Sequence, residues 1–162
     1  MNILGAIGAF GQGMGDQDIA FAFKSGKTWF EVPPTMKVVV QGEIKPPCTA
    51  KDLTLACVRR LGASGALGQA VEFSGPAVEA LDLAGRITLS SMMTEMGGIV
   101  GLIPPSEEVL AFCQERAGNG GPSEDSGQGF STIEADPDAE YTQVVEIDVS
   151  GLEPLIACPP KP

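Results

Sequence analysis

The sequence contains no histidine, and its basic residues are few. Without histidine, the chain cannot build a Ser-His-Asp or Cys-His nucleophile system from its own side chains, so any chemistry within it depends on carboxylates. Lysine and arginine total 10 against 21 aspartates and glutamates, which gives a net charge of -11. Nucleic acid and anionic membrane surfaces are therefore poor partners for this chain.

Long apolar runs are also missing. No segment approaches the roughly 20 apolar residues that a membrane-spanning helix needs. The N-terminus lacks the basic, apolar and small-residue order of a signal peptide. We therefore expect a soluble, cytoplasmic protein with no membrane partner.

The four cysteines lack the spacing of a metal site. Cys48, Cys57, Cys113 and Cys158 form no C-x-x-C pair, and no histidine is present to complete a mixed site. Free buried thiols in a reducing compartment are the favoured interpretation, and a disulfide or a cluster ligand remains the alternative. We expect no metal site and no cofactor-binding residue in this chain.

Segments with strand patterns alternate with segments with helix patterns, which predicts an α/β fold. We expect a layered α/β/α domain with a mixed or mostly parallel sheet. The consecutive valines of the second strand suggest that this strand is covered on both faces. The predicted strands are Thr28–Val32, Met36–Ile44, Gln69–Ser74, Ile99–Ile103 and a last strand through Val144, Val145, Ile147 and Val149. The predicted helices include Gln17–Lys24 capped by Asp16 and ended by Gly26, one that ends at Leu61 after a Thr49/Asp52 capping box, Pro76–Leu81 and one capped by Ser106.

The length of 162 residues suits one domain with an attached piece. Residues 1–35 are predicted to form a glycine-rich helical segment and a short strand, the remnant of a preceding domain. Residues 36–158 would form the α/β domain, with residues 118–130 as a mobile low-complexity insert. Residues 159–162 would begin a linker.

Glycine recurs at positions 5, 8, 11, 13 and 15 near the N-terminus. The segment lacks the pattern of a P-loop, and Asp16 stands where a dinucleotide-binding pattern requires Gly or Ala. We interpret it as a segment against which another backbone packs closely.

The stretch from Gly85 to Pro105 reads as a helix that leads into a buried strand. Leu89, Met92, Met93 and Met96 share one side of that helix, and Glu95 borders the packed side. A carboxylate at this position is a candidate for a raised pKa and for general acid/base or ligand-orienting work. A solvated glutamate on the helix surface is the alternative.

Several strings, spread over nearly the whole chain, carry a resemblance to a known family. They are Leu4-Gly5-Ala6, Gly13-Met14-Gly15-Asp16, Gly26-Lys27-Thr28-Trp29-Phe30-Glu31-Val32-Pro33, Ala50-Lys51-Asp52, Val71-Glu72-Phe73-Ser74-Gly75, Asp136-Pro137-Asp138-Ala139-Glu140-Tyr141 and Leu152-Glu153-Pro154. Together and in this order, they resemble the large subunit of the aconitase superfamily, in the branch of 3-isopropylmalate dehydratase and homoaconitase. The resemblance implies an aconitase-like subdomain.

The resemblance also implies a chemistry. The family isomerises a hydroxy-polycarboxylic acid by dehydration and rehydration at a 4Fe-4S cluster, whose open iron acts as a Lewis acid. Of the family's active-site residues, the glutamate before a Gly-Gly or Gly-Ala step corresponds to Glu95. Ser91, where relatives often have Asn, and Arg86 on the same helix are weaker candidates for the substrate neighbourhood.

The family's Asp-Ser-His-Thr motif and its three cluster cysteines have no counterpart in this chain. We therefore expect an internal fragment of such an enzyme that is inactive alone and holds no cluster. Its partners would be the remainder of the large subunit and a small swivelling subunit or domain. The substrate would be 3-isopropylmalate, or alternatively homoaconitate or aconitate. The glycine-rich N-terminus and the Glu95 edge are expected to be disordered or to borrow contacts from a neighbouring copy.

Two other functions remain open at this point. The chain could be a free-standing binding or scaffold module that kept the fold and lost the site. An autonomous carboxylate enzyme would need a second acid near Glu95, which Glu72 or Asp148 could supply if folding brought either of them close.

Overall fold

A computed structural model describes residues 2–11, 13–117, 132 and 135–158 of the chain. Its centre is a four-stranded sheet in which all neighbouring strands run parallel, in the order β3-β2-β1-β4. The strands are β1 (Thr35–Gln41), β2 (Ala70–Ser74), β3 (Val100–Leu102) and β4 (Val144–Asp148). The predicted α/β class with a parallel sheet is confirmed.

Five α-helices and two 3₁₀ helices accompany the sheet in the described part of the chain. The α-helices are α1 (Asp16–Ser25), α2 (Ala50–Leu61), α3 (Pro76–Glu79), α4 (Leu83–Ser91) and α5 (Glu107–Ala117). The 3₁₀ helices are Asn2–Ile7 and Met92–Met96. No helix among the described residues is both long enough and apolar enough to cross a membrane.

The start of α2 is fixed by the capping box that the sequence predicts. The backbone amide of Thr49 donates to Asp52 Oδ2 at 2.8 Å, and the Thr49 hydroxyl donates to the same oxygen at 2.9 Å. The second carboxylate oxygen, Oδ1, accepts from the amide of Leu155 at 2.8 Å. The hydrogen bond from Leu155, followed by those from Thr49, lowers the pKa of Asp52. One side chain thus caps α2 and holds the C-terminal segment against it.

Three local predictions are wrong. Residues 27–34 form no strand, and pairing begins only at Thr35, directly after Pro33 and Pro34, which have no backbone N–H to donate. Gly15 takes the N-cap position of α1, and Asp16 is the first helical residue. The helix that carries Glu95 is not continuous, since α4 ends at Ser91 and a 3₁₀ turn follows.

The core lies on one face of the sheet. Along β1, Met36, Val38 and Val40 are buried, whereas Val39 between them is only partly buried. The second face of β1, also predicted to be covered, is therefore covered only in part at Val39. The other core residues are Leu53, Cys57, Ala66, Val71, Phe73, Ala77, Val78, Leu89, Met93, Met96, Ile103, Val145, Ile147 and Val149.

The glycine-rich N-terminal segment packs against the domain. Ala6 is fully buried, and the carbonyl of Gly5 accepts a hydrogen bond from the amide of Ile103 at 2.9 Å. A Cβ atom at Gly5 would overlap the carbonyl oxygen of Gly101. The predicted close backbone packing is thus present at this glycine, and the predicted disorder is wrong for residues 2–11, whereas contacts borrowed from a neighbouring copy stay a prediction. The boundary at residue 35 stays a prediction, and the predictions for residues 118–130 and 159–162 lie outside the described residues.

Candidate functional site

Glu95 lies on the 3₁₀ turn that connects α4 to β3. The neighbouring side chains of Met93 and Met96 are fully buried, while Glu95 is exposed. Glu95 forms no hydrogen bond or ion pair with any residue that the structure describes. Its carboxylate is therefore available to a molecule outside the described chain.

The backbone beneath Glu95 is held firmly. The carbonyl of Met96 accepts from the amide of Ala66 at 3.0 Å, and Gly97 ends the turn with φ 79°. A side chain would be strained at that φ, and this explains the glycine after Met96. The turn thus presents a free carboxylate from a rigid base, which suits a group that must meet its target at a defined place.

The position of Glu95 relative to the ends of the strands is unusual for a functional residue of an α/β protein. The turn precedes β3, and the amide of Ile99 donates to the carbonyl of Gln69, just before β2, at 2.9 Å. Glu95 thus belongs to the amino-end side of the parallel strands. Ligands of open α/β sheets usually bind outside the carboxyl ends. A site at Glu95 therefore differs from the usual crevice of this fold class.

Ile99, four residues after Glu95, is one of the residues that line a cleft of about 320 Å³. We call it the aromatic cleft. The rings of Phe10 and Phe30 stack with centroids 5.1 Å apart and an interplanar angle of 14°. The cleft is lined by Phe10, Gly13, Met14, Gly15, Asp18, Trp29, Phe30, Glu31 and Ile99. It brings together two of the strings that carry the family resemblance.

The two weaker candidates have partners within the chain. Ser91 is exposed, and its hydroxyl donates to the carbonyl of Thr88 at 3.0 Å. Arg86 is buried, and its guanidinium donates from Nε to the carbonyl of Leu81 at 3.0 Å and from Nη1 to that of Pro104 at 2.8 Å. Burial lowers the pKa of Arg86, with the nearby acids opposing the shift. These contacts favour a structural function for Arg86, and substrate contact by either residue stays a prediction.

The sequence model of the aconitase family (aconitate hydratase) matches residues 1–162. This chain belongs to the aconitase family. It is 42% identical over 155 residues to the 3-isopropylmalate dehydratase large subunit 1 of Thermotoga maritima, an alignment that covers 96% of this chain and 35% of the relative. A probable 3-isopropylmalate dehydratase large subunit of Methanothermobacter thermautotrophicus is 41% identical, with the same two shares.

A probable methanogen homoaconitase large subunit of Methanothermobacter thermautotrophicus is 39% identical over 96% of this chain and 34% of the relative. The aconitase-family chain therefore spans about a third of the length of the curated relatives it matches.

The residues described in this aconitase-family chain do not fit a 4Fe-4S cluster. No group of three or more His, Cys, Asp or Glu side chains among them is placed to hold a metal ion. The four cysteines are free thiols, but only Cys48 and Cys57 are buried as predicted, whereas Cys113 is partly buried and Cys158 is exposed. Cys57 is fully buried, and desolvation raises its pKa to about 12. A cluster ligand must be a thiolate, so Cys57 is poorly suited to the role.

The structure also shows a polar cluster that the sequence reasoning missed. The Tyr141 hydroxyl donates to Glu72 Oε2 at 2.9 Å, and Lys37 Nζ lies 3.7 Å from Glu72 Oε1. Burial and the bond to Glu72 raise the pKa of Tyr141. Lys37 and Glu72 are paired in register on neighbouring strands, and strand alternation could have indicated that pair. The contact of Tyr141 with Glu72 is tertiary, so no local pattern indicates it.

The acids considered as possible partners for Glu95 have other contacts. Glu72 is engaged by Tyr141 and Lys37. Asp148 Oδ1, at the end of β4, accepts from the hydroxyl and the amide of Ser150, and these two bonds lower its pKa. Neither acid is paired with Glu95, so these contacts give no support to a carboxylate pair within this chain.

Proposed function

We propose that this aconitase-family chain works as part of an iron–sulfur hydro-lyase of the 3-isopropylmalate dehydratase type. Such an enzyme isomerises a hydroxy-polycarboxylic acid by dehydration and rehydration. The chain would act together with the remainder of a large subunit and a small swivelling subunit or domain, and it would be inactive alone. Its compartment would be the cytoplasm. The relatives named 3-isopropylmalate dehydratase and homoaconitase support this class of activity.

The observation that carries the proposal is the free carboxylate of Glu95 on its rigid turn. Glu95 is exposed between two fully buried methionines, Met93 and Met96. An exposed acid without a partner in the described chain contributes little to folding, whereas a fixed carboxylate can orient a substrate hydroxyl or carry a proton. Glu95 would have that role at the substrate.

The cluster would be held by other parts of the enzyme, and no residue of this chain is assigned to it. The substrate would be 3-isopropylmalate, as in the name of the Thermotoga maritima relative, with homoaconitate and aconitate as alternatives.

The proposal is tested with a full-length chimera in which this chain replaces the matching segment of the Thermotoga maritima large subunit. The chimera is supplied with that enzyme's small subunit and assayed with 3-isopropylmalate. Turnover by the chimera, and none by the isolated chain, is the expected result. A folded, cluster-loaded chimera without turnover would contradict the proposal and favour a scaffold module.

A further inference from the structure

Helix α1 has no buried residue, although it carries three large apolar side chains. Ile19 and Phe23 are 40% and 87% exposed, and Phe21 is 55% exposed. Residues four apart share one side of a helix, whereas Phe21 lies two positions from each of them and therefore points to another side. A helix that is apolar on more than one side is typical of a segment enclosed in a larger core.

The aromatic cleft adjoins α1, because Asp18 of that helix is one of its lining residues. Trp29 is 80% exposed and Phe30 is 49% exposed, and both line the cleft at the N-terminal end of α1 together with Asp18. A cluster of exposed aromatic side chains of this kind marks an interaction surface. We call α1 and the aromatic cleft together the aromatic face.

The charge of the aromatic cleft indicates the chemistry of the group that enters it. Asp18 and Glu31 line the cleft, and no basic side chain is among its lining residues in the described part of the chain. A cation above an aromatic ring and beside a carboxylate is favourable on both counts. The occupant would therefore present apolar side chains together with a lysine or arginine.

A second copy of this chain fits the face poorly. Each copy carries a net charge of -11, and self-association through this face would bring Asp18 and Glu31 of both copies together. The relatives, by contrast, are about three times as long as the matched segment, because that segment covers only 35% of them.

We propose that the aromatic face is the surface on which the remainder of the large subunit docks, through a segment that supplies apolar side chains and a basic residue. The proposal rests on the proposed function for the existence of that partner. It adds the place of contact and the chemistry of the contacting segment.

The test compares hydrogen exchange in the isolated chain and in the Thermotoga maritima chimera. The amides of α1 are expected to exchange at least tenfold more slowly in the chimera. Phe23→Asp should restore fast exchange in the chimera and leave the melting temperature of the isolated chain unchanged. Ile156→Asp is the matched control, because Ile156 is 88% exposed, is not part of α1 and does not line the aromatic cleft. Equal exchange in the chain and the chimera, or equal effects of the two variants, would overturn the proposal.

To test whether the occupant supplies a basic residue, the variant Asp18→Lys is compared with the variant Asp16→Lys. Both aspartates lie in the first turn of α1, but only Asp18 lines the cleft. Asp18→Lys should speed the exchange of α1 in the chimera at least threefold more than Asp16→Lys does, and equal effects would overturn this part. Sedimentation of the isolated chain should show a monomer; a dimer that Phe23→Asp dissociates would make a second copy the occupant and overturn the proposal.

If the chimera does not fold, a smaller graft of residues 13–34 alone into the relative replaces it, and misfolding of both grafts would also overturn the proposal.

Turnover separates the docking proposal from the proposed function. A chimera with a protected α1 and no turnover contradicts only the proposed function, and a chimera that turns over with an unprotected α1 contradicts only the docking surface.

Discussion

The amide of Ile103 donates a hydrogen bond of 2.9 Å to the carbonyl of Gly5. This bond joins the N-terminal 3₁₀ helix to the segment that follows β3, next to the point where Gly5 lies against Gly101. The start of the glycine-rich segment is thus packed against the residues of β3 and the segment that follows it.

Gly5→Ala should therefore destabilise the chain. The new methyl group would overlap the carbonyl of Gly101, and overpacking of this kind costs about 1–3 kcal/mol of unfolding free energy. Urea unfolding measures the loss. Gly151→Ala is the control, because a Cβ atom there meets no atom within 4 Å. Equal stability of the two variants would show that the N-terminal segment is not held as described.

Arg86→Met should destabilise the isolated chain without any ligand present. The variant keeps the length of the side chain and removes the donors to the carbonyls of Leu81 and Pro104. Both hydrogen bonds are partly buried, and the loss of a hydrogen bond to a charged group costs about 1.5–3 kcal/mol. Arg59→Met, at an exposed position of α2, should change the free energy of unfolding little. If the two variants are equally stable, the structural function of Arg86 is contradicted and Arg86 is again a candidate for ligand binding.

The stability of the chain should depend on pH through Asp52. Hydrogen bonds from Leu155 and Thr49 hold the folded-state pKa of Asp52 below its unfolded value of about 3.9. This contribution is fully present above the unfolded pKa, and it is lost as the pH falls from there through the folded pKa. Asp52→Asn should flatten the pH dependence of the unfolding free energy in that acidic range.

Asp138→Asn, at an exposed turn, serves as the control for Asp52 and should keep the wild-type profile. If Asp52→Asn left the profile as steep as in the wild type, the bond from Leu155 would not form in solution.

The thiols should differ sharply in reactivity. Cys57 is fully buried with a pKa raised to about 12, whereas Cys158 is exposed. Only the thiolate attacks a disulfide reagent, so Cys158 should react in the native chain at pH 8 and Cys57 only after unfolding. Mass spectrometry of the labelled peptides gives the order in which the thiols react. Early labelling of Cys57 would contradict the packing of α2 on the sheet.

Local signals predicted the parts of the fold that depend on neighbouring residues. The Thr49 and Asp52 pair correctly marked the start of α2, and Gly26 correctly marked the end of α1 with φ 67°. The strand predicted at Thr28–Val32 failed, because its β-forming residues have no strand to pair with before the two prolines. Pairing partners are tertiary information that a local pattern does not contain.

The candidate site, like the fold, could be predicted from the sequence only in part. The sequence placed Glu95 at the end of a helical stretch before a Gly-Gly step, and the structure puts it there on an exposed turn. The aromatic cleft joins Phe10, Phe30 and Ile99, which lie far apart in the chain. No period or spacing links these three residues, so only the folded structure shows that they meet.

The most direct measurement is the effect of Glu95→Gln on the turnover of the full-length chimera with its small subunit. If Glu95 orients the substrate or carries its proton, kcat should fall about 10²-fold or more while KM changes little. The control Glu107→Gln, at an exposed position of α5, should keep wild-type turnover. Wild-type kcat in the Glu95→Gln chimera would contradict the assignment of the active-site carboxylate to this chain.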